Sequence, residues 1–245
     1  FPPIDFELRD DKFGYFSMKE NEKGELDVSI ENDKKEAISF GSLLPEGYKI
    51  VGNIYRRKIA EEIAPEYAKE LGNFADTVGD EKVVCLSKEF AEQYGWKNML
   101  SVFHEIGHAE YAVQNPEESK AIKHAINSKS RYTIDLELYR QLVDLKSKNE
   151  RGAWASAIKN FRSVSKKLGL PLKNIFSDKM DFRDFVHKRL ASHKERYKYK
   201  TLQFFHHIPE EKQNEILEEI EGLFTRQDYG KNPLGFSEEQ AETEK

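Results

Sequence analysis

The chain has 245 residues, 38% of them hydrophobic and 34% charged. That is enough apolar material for a sizeable core beneath a heavily charged surface, at a length that suits one large domain or a core with an added lobe. Thirty-nine Lys and Arg against 44 Asp and Glu leave a formal net charge of −5, which argues against a globally basic nucleic-acid binder. No apolar run approaches the ~20 residues of a membrane span. The single cysteine, Cys85, excludes an internal disulfide framework and any multi-cysteine zinc site. A metal would therefore rest mainly on histidine and carboxylate, and the lone cysteine makes the cytoplasm the expected setting.

In chain order, the first fifty residues are β-like. Segments 14–19 and 25–30 flank the polar stretch 20–24, which predicts a hairpin, and 48–55 (YKIVGNIY) predicts another strand. Residues 58–71 (KIAEEIAPEYAKEL) carry helical periodicity, stop before Gly72, and contain Pro65 as a kink or break. The apolar run 82–87 (KVVCLS) has strand length, and 98–113 (NMLSVFHEIGHAEYAV) predicts a helix ending before Asn115-Pro116. Residues 134–168 predict a long helix closed by Gly169 and Pro171, and a last helix runs from Pro209, a first-turn position, to Phe224. This order predicts an α+β fold with helix dominant. It divides as a β-rich segment 1–47, a core 48–168, a helical C-terminal lobe 169–235 and an acidic, disordered tail 236–245.

His104-Glu105-Ile106-Gly107-His108 is an H-E-x-x-H motif. On a helix, residues four apart share a face one turn apart, so both imidazoles can reach one ion while Glu105 holds a water beside it. Two histidine ligands, a third protein ligand and one open position make the zinc hydrolase arrangement. Chance places such a triplet in roughly one chain of forty at this composition, so context decides. Here the context is apolar, with Val102, Phe103, Ile106, Ala109 and Val113 around the motif and small Gly107 and Ala109 permitting close approach.

The third ligand has to come from elsewhere, because Tyr111 and Gln114 stand where a longer glycine-and-histidine form of the motif would need them otherwise. In 134–168 the stripe Ala153, Trp154, Ala157, Ile158, Phe161, extended back one turn, lands on Glu150. A carboxylate on a buried face is costly unless paired or bound to metal. The alternatives are that Glu150 ends the stripe and faces solvent, or that Glu137, Asp135 or Asp144 supplies the ligand. Cys85, in a Cys-Leu-Ser run, is a further candidate ligand, with a buried strand cysteine as the plainer reading.

The run His104-Glu105-Ile106-Gly107-His108-Ala109, followed by Glu150-Arg151-Gly152-Ala153-Trp154, resembles a gluzincin metallopeptidase, with the small ImmA/IrrE-like peptidases as the nearest suggestion. The resemblance covers about 48–161. It implies a zincin-like core, in which a small mixed sheet accompanies the motif helix and a glutamate-bearing helix. It implies one zinc per chain held by His104, His108 and Glu150, with Glu105 as general base, and an edge strand at 82–87 pairing with an extended substrate. Two features depart from it: 41 residues separate His108 from Glu150, and Glu110 occupies a position usually apolar in zincins.

For an oxyanion-stabilising donor the candidates are Tyr132, Tyr139, His187, His193, His206 and His207, none ranked above the others; His206-His207 could also serve a second metal, although ordinary surface histidines are the plainer reading. The polar segment 115–131 could gate a cleft. The stretch 187–200 (HKRLASHKERYKYK) is basic and could touch nucleic acid or an acidic partner, although a solvated helix face is the commoner meaning of such a run. The expectation is thus a zinc-dependent metallopeptidase acting on a peptide or protein, with no membrane and no nucleic-acid partner. The alternative is a non-catalytic zinc-binding or regulatory protein that works through its C-terminal lobe, where Lys188, Arg189, Lys194 and Arg196 would carry the binding.

Overall fold

Alternation of apolar and polar residues builds the N-terminal sheet. In β3 (Leu26–Glu31), Leu26, Val28 and Ile30 are buried while Asp27 is exposed. It pairs with β2 (Gly14–Glu20), and β1 (Asp5–Asp10) and β4 (Ala37–Ser39) complete an antiparallel sheet in the order β1-β2-β3-β4. The β2–β3 hairpin is the one expected. Its turn is fixed by Asn21, whose Oδ1 accepts from the backbone of Lys23 and Glu25 at 2.9 and 3.0 Å. The computed structural model describes residues 2–11, 14–63, 73–78, 80–87, 95–127, 135–171 and 175–225. The expected break at Pro65, Tyr132, the acidic tail and the end of the suggested gate lie outside the described residues.

A second sheet has the order β5-β7-β6, from β5 (Tyr48–Val51), β6 (Phe74–Val78) and β7 (Glu81–Cys85). β7 runs parallel to β5 and antiparallel to β6. Two expectations are corrected here. The run 82–87 is not an edge: β7 is paired on both sides, and Val83, Val84 and Cys85 are all buried, as the continuous apolar run of a central strand requires. The strand expected over 48–55 stops at Val51, and helix α1 (Asn53–Ile63) starts two residues later. The cause is Glu20, whose carboxylate accepts from Ile54 N at 2.6 Å and from Ile4 N at 2.8 Å. A carboxylate on the free N–H groups of a first turn favours starting a helix there.

The remaining elements are helices: α2 (Asn98–Gln114), α3 (Pro116–Asn127), α4 (Leu136–Leu168), α5 (Lys179–Phe204) and α6 (Glu210–Thr225). α4 ends as expected at Gly169, whose φ of 64° closes the helix with bonds from Leu170 N to Ser165 O and from Gly169 N to Lys166 O. Asp178 caps α5 by accepting from Asp181 N at 2.8 Å. The fold is α+β with helix dominant, and among the described residues no helix is long and apolar enough to cross a membrane.

The chain forms two compact units, each made of two segments. The first comprises Phe1–Val113 and Ala153–Phe176, the second Gln114–Gly152 and the chain from Ser177 onward. In the first, a series of rings links the N-terminal sheet to the helices: Phe16 to Phe40 at 6.0 Å, Phe40 to Phe103 at 4.8 Å, Phe103 to Phe161 at 6.1 Å and Phe161 to Phe176 at 6.2 Å. The second has its own core of Tyr139, Val143, Phe205, Ile216, Ile220 and Phe224. α4 belongs to both, changing from one to the other at Gly152/Ala153.

Candidate metal centre

Leu100, Val102, Phe103, Ile106 and Ala109 recur at helical spacing along α2 and are all buried. That burial carries the motif inward: His104 is 6% and Glu105 7% exposed. The rings of His104 and His108, one turn apart, meet edge-on with centroids 4.4 Å apart. His104 Nδ1 lies 3.5 Å from the Glu105 Oε1.

The apolar stripe of α4 packs against this helix. A Cβ on Gly107 would come within 2.3 Å of the Ala153 carbonyl oxygen, so the two backbones touch at a point only glycine can occupy. The Trp154 indole stacks on the His104 imidazole, with centroids 4.2 Å apart and planes 26° from parallel. Glu110, the acid that departs from the zincin pattern, accepts from the Ser156 hydroxyl and from Asn160 Nδ2, the latter at 3.1 Å. It ties α2 to α4 by side-chain bonds.

One turn before Trp154 on the same unbroken helix, Glu150 is 6% exposed. A nitrogen of His104, a nitrogen of His108 and an oxygen of Glu150 all lie within 4.8 Å of one another, and the group could hold a metal ion. An ion with bonds of ~2.0–2.2 Å spans such a spacing after small side-chain rotations. The acid in phase with the α4 stripe is therefore the one brought to the histidines.

The rival ligands are engaged elsewhere. Asp135 is exposed and accepts from Glu137 N at 2.7 Å, Glu137 takes Gln141 at 3.2 Å, and Asp144 pairs with Lys148 at 2.8 Å. Cys85 is buried outside the group, its Sγ 3.9 Å from Arg56 Nη2. Burial pushes its thiol from an ordinary 9.0 up to about 11, with the Arg56 charge opposing, so it is a protonated core residue.

Among the suggested oxyanion donors, Tyr139 is a core residue of the second unit. Its hydroxyl donates to Tyr197 O at 2.8 Å and lies 3.1 Å from Thr201 Oγ1, and burial pushes its pKa up to about 12. His206 and His207 are exposed, with His206 Nδ1 on Gln203 O at 3.1 Å, and His187 is exposed as well. His193, on α5, has its Nδ1 3.5 Å from the Glu150 Oε1. Nothing in the sequence singled it out, because the α5 stretch around it reads as a charged face. That face is partly paired: Lys194 and Lys198 both bind Glu221 of α6, Lys194 at 2.7 Å. The Arg189 guanidinium lies 5.3 Å from the Phe185 ring centroid. No family model, curated protein or solved structure matches the chain.

Proposed function

We propose that the chain is a zinc-dependent metallopeptidase of zincin type. The observation that carries this reading is the convergence of His104, His108 and Glu150 on one point, with Glu105 beside His104. Two imidazoles and one carboxylate, with no thiolate in the group, form the donor set of a catalytic zinc site. His104, His108 and Glu150 would hold the ion. When bound, zinc supplies a Lewis acid that polarises a scissile carbonyl and lowers the pKa of water towards ~7.

Glu105 does the proton work of this reading. Its carboxylate takes a proton from the attacking water and delivers it to the nitrogen of the leaving amine. Burial of Glu105 keeps bulk water from competing for that proton. Stacking on Trp154 holds the His104 ring in one plane, and the Gly107–Ala153 contact fixes the helix crossing that faces Glu150 towards the histidines.

Metal analysis of the purified chain tests the reading first: about one zinc per chain is expected. A chain that carries no metal and takes up no added zinc would sink it. Glu105→Gln should keep the zinc and abolish hydrolysis of peptide substrates, whereas Glu150→Ala should weaken zinc binding itself.

A further inference from the structure

A carboxylate that ligates a metal through one oxygen leaves its other lone pairs to be satisfied by a neighbour. Glu150 is buried, so water alone does not meet this need. One neighbour within reach is His193 of α5, with Nδ1 3.5 Å from Oε1. Among the described residues, the atoms that lie mutually within 4.8 Å come from His104, His108 and Glu150 only. His193 therefore stands outside the ligand set yet within reach of the ligand carboxylate.

The two helices that carry this pair are fastened together. Tyr139 of α4 donates to the Tyr197 carbonyl of α5 and meets Thr201. The α5 backbone beside His193 is held in turn by Lys194 and Lys198 on Glu221 and by buried Leu190. The imidazole is one-third exposed, and its Nδ1 is the atom beside the acid.

We infer that His193 is a positioning residue that orients Glu150 for metal binding, with Nδ1–H donating to the carboxylate. This rests on the metal-site reading above, and it adds a part that the H-E-x-x-H motif does not announce. A partner of this kind fixes the rotamer of its ligand, and its loss typically weakens metal affinity about 10–100-fold.

The test is zinc affinity of the full-length, metal-stripped chain, measured by competition with a chromophoric chelator. His193→Ala should bind zinc about tenfold to a hundredfold more weakly than the unaltered chain. His193→Asn, whose amide nitrogen falls near Nδ1, should recover most of the loss, whereas His193→Gln, whose amide falls near Nε2, should not. Circular dichroism should show all three folded as the unaltered chain. If the unaltered chain binds zinc and His193→Ala binds it equally well, the role of His193 is overturned while the metal site stands. A loss that Asn and Gln repair equally, or that neither repairs, also overturns it, since that is the mark of packing and not of a donor at Nδ1. If the unaltered chain binds no zinc, both readings fall together.

Discussion

Gly107 sits where α2 and α4 touch, and its missing side chain is what lets them. A Cβ there would lie 2.3 Å from the Ala153 carbonyl oxygen and 2.9 Å from its Cα. Those are backbone atoms of a helix interior, which cannot swing aside as a long side chain would. Gly107→Ala should therefore lower stability by about 3 kcal/mol in chemical denaturation, despite the helix propensity that alanine gains. It should lower zinc affinity as well, because the crossing it pushes apart faces Glu150 towards the histidines. Cys85 gives the contrasting case. Its thiol stays protonated to about 11 in the folded chain, against 9.0 ordinarily. Between those values the unfolded chain ionises and the folded chain does not, so the thiol's contribution to stability is present below about 9 and is lost as pH rises towards 11. Cys85→Ala should therefore flatten the fall in stability over that window while leaving zinc affinity unchanged. A drop in zinc binding would return Cys85 to the ligand set.

At the scale of the element, a single carboxylate decides where one helix begins. Glu20 closes β2 and accepts from Ile4 N and Ile54 N, joining the chain start, a strand end and the first turn of α1. Glu20→Ala should cost about 2 kcal/mol, with Glu20→Gln retaining part of it, as thermal unfolding would show. This capping acid is 34 residues from the helix it serves, which is why 48–55 reads as strand throughout when only local pattern is available. The same limit hides β1, where Phe6 and Leu8 are the only apolar residues among charges. It hides the central place of β7 too, since a run of valines looks alike at an edge and in the middle until its partners are known. What was legible is what short-range chemistry writes: the β2–β3 turn at Asn21, the Gly169 stop, and two histidines one helical turn apart. Glu150 was legible only through the phase of a buried stripe. His193 was not, because its meaning depends on the packing of α5 against α4. Glu110 shows the reverse: it looks out of place in sequence, and in the structure its bonds to Ser156 and Asn160 tie two helices together.

For the molecule as a whole, the candidate ligands lie far apart along the chain, with His104 and His108 on α2 and Glu150 on α4. An unfolded chain must close a loop of some forty residues to bring them to one ion, whereas the folded chain presents them already together. Zinc should therefore bind the folded state far better than the unfolded one and stabilise it by mass action. With free zinc at one hundred times the dissociation constant, the gain is about 2.7 kcal/mol. Differential scanning calorimetry should show a rise of several degrees in Tm on adding zinc and its reversal by a chelator. Glu150→Ala should abolish most of that rise, and Glu105→Gln should keep it, because Glu105 is expected to handle a proton and not the ion. If Glu105→Gln lost the zinc-dependent rise along with Glu150→Ala, Glu105 would be a ligand, and the division between metal-holding and proton-carrying residues would have to be redrawn.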